Sequence, residues 1–268
     1  MKKVLTLTFV AIFILAFLKQ KNSTDLFYEK ILNTSAIFLN KPYSLGPLGE
    51  KKGIDTDPLY REDKFDCLTY VETVLANVYN NDEDIVPMMN KIRYKNGIVS
   101  FETRNHFQNP DWVVNNAQFI KNKSDDISRI VLNNPAKKST INLNRKKWFK
   151  QNYNIDIDTN IEVVKLDYIS LSDFENNIER FKSFINKPYI FMTVIKDDSL
   201  KEKIGTEIDI SHTGFLINKN DNLYIRHASS TAGKVVDNDF YEYIEKLKKN
   251  SKYQGFSLLE IQDLKSVR

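Results

Sequence analysis

The sequence predicts an α+β fold, and three observations lead there. Helical patterns fill the early part of the chain, strand patterns gather in the later part, and the two are joined chemically by a cysteine at a helix start and histidines on late strands. In Thr24–Leu39, Leu26, Phe27, Ile31, Leu32, Ile37 and Phe38 recur at helical spacing. A loop punctuated by Pro and Gly, Lys41–Tyr60, leads to a second helix. There Leu68, Val71, Val74, Leu75 and Val78 form an apolar stripe, and Asp66 is placed to N-cap it. Residues 79–125 are mixed, with a hairpin-like Ile92–Phe101 and a short helix near Val113–Ile120. The Lys- and Asn-rich stretch 122–160 reads as an outer helix or excursion anchored by Trp148 and Phe149.

Ile161–Ile169 reads as a strand, Ser172-Asp173-Phe174-Glu175 as a capping box opening a helix to about Ile185, and Tyr189–Ile195 as another strand. A histidine-bearing hairpin, Lys234–Asp237, a helix over Asp239–Lys248 and Phe256–Ile261 complete an antiparallel sheet.

Composition narrows the function classes. At 268 residues, with 41% hydrophobic and 28% charged residues, the chain can bury a sizeable core without a metal or disulfide staple. The net charge of +4 includes Lys2 and Lys3, and acids and bases are interspersed elsewhere. Nucleic-acid binding would want the bases gathered on one stripe, so no nucleic acid is expected as a partner. Met1-Lys2-Lys3 precedes an apolar run from Val4 to Leu18, interrupted only by Thr6 and Thr8 and closed by Lys19-Gln20-Lys21. That run is short of the roughly 20 residues a membrane helix needs. Residues 1–21 are therefore expected to be a signal peptide or retained N-terminal anchor, and 22–268 a single domain exported to the periplasm or cell envelope.

Cys67 is the single cysteine, so no intrachain disulfide is available. Such a residue is either a small buried hydrophobe or a reactive thiol. It falls in the first turn of a helix, where free N–H groups and the dipole favour thiolate, although Asp66 beside it opposes this. A histidine partner is then required. The chain has three: His106, His212 and His227. Ile208–Ile217 and Asn222–Ala228 read as two strands joined by turn residues. With Ile217 opposite Asn222, His212 stands directly opposite His227, with Cβ atoms about 4.5–5.5 Å apart. An odd-length loop would put them on opposite faces. Two paired histidines and one helix-start cysteine suit a thiol catalyst, in which one imidazole takes the thiol proton and the other orients it. They also amount to three acceptable zinc ligands, with Asp209 a weak fourth, but no second cysteine or His-x-x-x-His cluster assists.

Asp66-Cys67 opening a helix, His212-Thr213-Gly214-Phe215 on a strand and His227-Ala228-Ser229 on the next resemble the NlpC-type papain-fold amidases of bacterial cell walls. More narrowly, the chain resembles the N-acetylmuramoyl-L-alanine amidase-like branch. Lys41–Glu50, Phe65–Glu72, Arg93–Gly97, and Thr103–Phe107 with Asp111-Trp112 run in that branch's order. The resemblance implies a papain-like fold with the nucleophile at a helix N-terminus packed on an antiparallel sheet, plus helical insertions. It implies Cys67 as nucleophile, His212 as base and His227 as the residue orienting it. Tyr43 matches a tyrosine that lines the site, and Arg104 and His106 match a motif of the branch, so these three are expected to bind substrate. The implied activity is cleavage of the lactyl–L-Ala amide of peptidoglycan fragments (muropeptides); separately, no cofactor and no metal are expected, the protein is expected to be a monomer, and the membrane to be touched only through an uncleaved anchor. Two alternatives stay open: an endopeptidase cutting between D-Glu and the diamino acid of the stem, and a wall-binding module without turnover.

Overall fold

The computed structural model describes residues 23–264 other than 82, and the expected signal or anchor, 1–21, lies outside the described residues. Nine α-helices lie among the described residues: α1 Ser23–Ile37, α2 Cys67–Tyr79, α3 Val86–Arg93, α4 Ser124–Ile127, α5 Arg145–Tyr153, α6 Leu171–Glu175, α7 Ile178–Phe184, α8 Asp198–Ile204 and α9 Phe240–Lys248. The strands are β1 Ile120–Asn122, β2 Lys137–Leu143, β3 Glu162–Ser170, β4 Tyr189–Ile195, β5 Ile210–Lys219, β6 Asn222–Ser229, β7 Lys234–Asp239 and β8 Tyr253–Ile261. They form one eight-stranded antiparallel sheet in the order β2-β3-β8-β4-β5-β6-β7, with β1 paired to β8. The α+β expectation holds. Among the described residues no helix is long and apolar enough to cross a membrane.

The pleat divides the strands between two cores. Ile190, Met192, Phe215 and Ile217 pack with Val71, Val74 and Leu75 of α2 on one face. Tyr189, Phe191, Leu216 and Ile225 pack with Phe174, Phe181, Phe240 and Ile244 of α6, α7 and α9 on the other. Every residue of β4 is buried, as a strand covered on both faces must be.

Helix α2 is buried on nearly every side, so its polar residues must find partners inside. Glu72 does so with Arg93 of α3 (2.7 Å), and the same guanidinium donates to the Leu48 carbonyl (2.7 Å). Tyr94 Oη donates to the Gly49 carbonyl (3.1 Å), so the long loop before α2 is fastened to its far side.

Four local expectations are corrected. The hairpin-like Ile92–Phe101 is instead the end of α3 followed by a tight turn, Lys95–Gly97, where Asn96 and Gly97 take φ of 56° and 71°. The helix expected near Val113–Ile120 begins earlier, as a wide helical segment over Gln108–Val113 that buries Trp112. The cap expected at Ser172 sits at Ser170, whose Oγ accepts from Asp173 N–H (3.1 Å), and the helix breaks at Asn176-Asn177 into α6 and α7. Both residues are amides that compete locally with helical backbone. Finally, the β5–β6 turn is Asn220-Asp221, with φ of 51° and 60°, the pair of positive values that a two-residue hairpin loop requires. Lys219, not Ile217, faces Asn222.

Candidate active site

That turn decides how the histidines meet. The observed partner of Asn222, Lys219, differs from the expected Ile217 by two positions, so every side chain keeps its face. His227 therefore comes opposite Gly214 when the ladder from Lys219–Asn222 through Phe215–Arg226 is continued, and His212 lies diagonal to it. The correction is in register only. His212 Nε2 and His227 Nδ1 are 2.6 Å apart, with ring planes at 88°.

Gly214 makes the diagonal contact accessible. A Cβ there would stand 2.7 Å from both the Arg226 carbonyl oxygen and the His227 Cβ. Gly214→Ala should therefore cost about 1–3 kcal/mol, as overpacking generally does. It should also lower turnover by displacing His227. Thermal unfolding and product formation on the same preparation check this, and an alanine variant with unchanged midpoint and rate would refute it.

Cys67 is half-buried at the first position of α2. Asp66 caps that helix reciprocally: Thr69 N–H donates to Asp66 Oδ1 (2.8 Å) and Asp66 N–H to Thr69 Oγ1 (2.9 Å). The other carboxylate oxygen accepts from Gly46 N–H (3.0 Å), tying the loop to the helix start. Backbone N–H groups of Thr213, Leu68 and Cys67 itself act on the thiol and favour its anion. Burial and the Asp66 charge outweigh them and push the thiol up to about 12. The direction is opposite to that favoured by helix position, and Asp66 contributes to it as expected. Burial and the neighbouring His227 meanwhile push His212 down to about 3, and burial lowers His227 as well. Both sets of shifts favour the uncharged forms, a thiol and neutral imidazoles. Thr213, whose amide favours the Cys67 anion, directly follows His212 on β5.

Tyr43 reaches the same place. Its backbone N–H donates to the Gly233 carbonyl (2.8 Å), Ser44 N–H donates to the Phe65 carbonyl (2.9 Å), and Tyr43 bridges to Phe65. The segment before it adds to the edge of β7, through Asn40 N–H to the Val235 carbonyl (2.9 Å) and Val235 N–H to the Lys41 carbonyl (2.9 Å). Burial, then the Cys67 and Asp66 charges, raise the Tyr43 phenol.

Two neighbours of the histidines escaped the sequence reading. Asn238 on β7 presents Oδ1 2.8 Å from His227 Nε2. Tyr243 of α9 lies with its ring centroid 6.4 Å from that of His212 and 5.6 Å from that of His227. Burial chiefly, with smaller contributions from Tyr253 and Cys67, raises its phenol to about 12. Asn238 is diagonal to His227 across β6–β7 and could have been found by extending the hairpin pattern one strand. Tyr243 carried no signal beyond its helical face.

Arg104 and His106 are placed differently. Arg104 Nε donates to Glu50 Oε1 (2.7 Å), and its Nη2 bonds to Glu50 Oε2 and to Asp55 Oδ2 (2.9 Å), fastening the loop ahead of α2. His106 Nε2 bonds the Phe101 carbonyl (2.6 Å), and its ring packs among Phe101, Trp148 and Phe149. Burial lowers it to about 4. His106 also lines a cavity of about 310 Å³ with Phe107, Asn109, Asp209 and Ser211, and Ser211 directly precedes His212. Asp209 accepts from Asn109 Nδ2 (2.7 Å), and burial raises its carboxyl to about 6. Among the described residues no three His, Cys, Asp or Glu side chains gather as a metal site.

Comparison with known proteins bears on this arrangement. No curated protein matches the chain. A solved Legionella pneumophila protein of the DUF1460 family is 29% identical, with a TM-score of 0.82 over 88% of this chain and 89% of that one. A Bacteroides uniformis N-acetylmuramoyl-L-alanine amidase is similar in fold, with a TM-score of 0.66 at 20% identity over 89% of this chain and 100% of that one. The profile of the AmiA-like, N-acetylmuramoyl-L-alanine amidase-like family matches residues 33–251, nearly the whole described chain. The chain belongs to that family.

Proposed function

We propose that the protein is an exported cysteine amidase that cleaves the N-acetylmuramoyl–L-alanine bond of peptidoglycan fragments, with a papain-like, NlpC-type arrangement of its site. The observation that carries this reading is the His212–His227 contact of 2.6 Å between β5 and β6, with β5 packed against the helix that Cys67 opens. A hydrogen-bonded imidazole pair, His227 buried and His212 half-buried, together with a helix-start thiol has the parts of a nucleophile, a base and a residue orienting the base. The family supports the substrate class.

Because thiol and imidazole are both neutral at rest, proton transfer accompanies attack. As Cys67 Sγ bonds to the amide carbonyl carbon, His212 takes the thiol proton, then delivers it to the departing amine as the C–N bond breaks. Water attacks the thioester with His212 as base, releasing the lactyl carboxylate and restoring the thiol. Backbone N–H groups at the start of α2 steady the oxyanion, a contribution of roughly 3 kcal/mol per donor. Tyr43 lines the approach to the sulfur, and the cavity bordered by His106 and Asp209 accepts part of the substrate next to His212. Arg104 acts at one remove, by holding the loop through Glu50 and Asp55.

Mass spectrometry of defined muropeptides incubated with residues 22–268 tests this, with Cys67→Ala alongside. A free peptide beginning at L-Ala, absent with Cys67→Ala, is the expected result. A product ending in L-Ala-D-Glu would move the cut to the stem peptide while keeping Cys67. No product from either protein, with binding retained, would replace the enzyme by a wall-binding module.

A further inference from the structure

We infer that Asn238 is a positioning residue that fixes the tautomers of both site histidines and leaves His212 Nδ1 as the nitrogen that receives the Cys67 proton. The inference rests on the reading of Cys67 and His212 as nucleophile and base, and adds a residue that reading does not contain.

His212, His227 and Asn238 run diagonally over three adjacent strands. His227 is paired with Val236, so Asn238, two residues on, shares its face, just as His212 is two residues from Gly214. Each diagonal step spans a distance that long side chains bridge. The hydrogen-bond directions then follow from the far end. The Asn238 amide oxygen can only accept, so the proton in the 2.8 Å contact sits on His227 Nε2. A neutral imidazole carries one N–H, so His227 Nδ1 is a bare lone pair. That atom must accept, so the 2.6 Å contact takes its proton from His212 Nε2. His212 Nδ1 is left unprotonated, which is the state a base needs.

The nitrogen that is bare is set by the bond the other nitrogen makes, and here that dependence passes through two rings. Were the amide nitrogen to face His227 instead, every direction would invert, and His212 would aim a proton at a thiol that is itself protonated. Asn238 is only partly buried, so its replacement should spare the fold.

Nitrogen-15 correlation spectra of the imidazoles test this directly in residues 22–268, where three histidines give an assignable spectrum. His212 and His227 are both expected as Nε2–H tautomers. Asn238→Leu should give mixed tautomers at His227 and lower kcat roughly 10–100-fold with KM within about twofold, the scale of losing an orienting partner of a functional histidine. Asn238→Asp keeps the acceptor and should restore both the spectrum and most of kcat. An Nδ1–H tautomer at His227 in the unmodified protein would overturn the inference, as would an Asn238→Leu variant with unchanged tautomers and kcat. His212→Ala separates the two levels. If it turns over normally, the base assignment itself fails; if it is inactive while Asn238→Leu is unaffected, only Asn238 is removed.

Discussion

His212→Ala should lower kcat on muropeptides by roughly 10²–10⁴-fold, the usual contribution of a positioned general base. Cys67→Ala should abolish turnover, and the double variant should be no worse than Cys67→Ala alone, because residues that act as one unit are not additive. The pH dependence carries a sign as well. Burial and His227 hold His212 down to about 3, so the base stays deprotonated well below the ordinary imidazole value of 6.5. The acid limb of kcat/KM should therefore fall under pH 5. Alkylation of Cys67 should keep rising with pH through 9, since burial and Asp66 hold the thiol up to about 12. A preformed thiolate–imidazolium pair would instead give a plateau in alkylation across neutral pH, and observing that plateau would refute the neutral resting state. Turnover of His212→Ala within a factor of a few of the parent rate would dismiss His212 as base.

Arg93→Met should destabilise the fold by about 3–5 kcal/mol, the cost of removing one partner of a buried ion pair. Glu72 is 1% exposed and Arg93 6%, so water cannot replace the lost charge. Burial already pushes the Glu72 carboxyl up, and Arg93 is what chiefly pulls it back. Without Arg93 the folded protein takes up a proton at Glu72 that the unfolded chain does not hold until lower pH. Folding is then favoured as pH falls, so the penalty should shrink from pH 8 toward pH 5. Urea unfolding at both pH values measures it. Adding Glu72→Gln should recover part of the loss, because no charge is then buried alone. A single-variant penalty under about 1 kcal/mol, the range of an exposed pair, would show that the pair is not acting as a buried one.

Elements whose boundaries are set by local chemistry were legible in the chain. Asp66 and Thr69 mark the start of α2, and Tyr189–Ile195 is the strand that its apolar run implies. Of the residues singled out, His212 and His227 are in direct contact, as a hairpin between their strands leads one to expect. What escaped depends on choices between near-equal local options. Four turn-forming residues, Asn218 to Asp221, offer several loops, and only the backbone conformation at Asn220 and Asp221 selects one. The pairing of the histidines survived because the error was even. Serines at 170 and 172 compete for the same cap. The upward push on the Cys67 thiol was hidden for a different reason: helix position is visible in sequence, whereas burial is created by the tertiary packing around the helix start.

The strand-like attachment of residues 40–43 to β7 has a consequence in time. Lys234 and Asn40, whose side chains meet at this seam, are 194 residues apart. Helix α2 needs only its own sequence and can form early, but contacts across so long a separation form late, once the intervening loop has been closed. A chain made from its N-terminus forward therefore carries Cys67 through most of its synthesis without its histidines or a settled Tyr43. The thiol acquires its surroundings only when the last strands arrive, so an unfinished copy holds Cys67 but not the pocket around it.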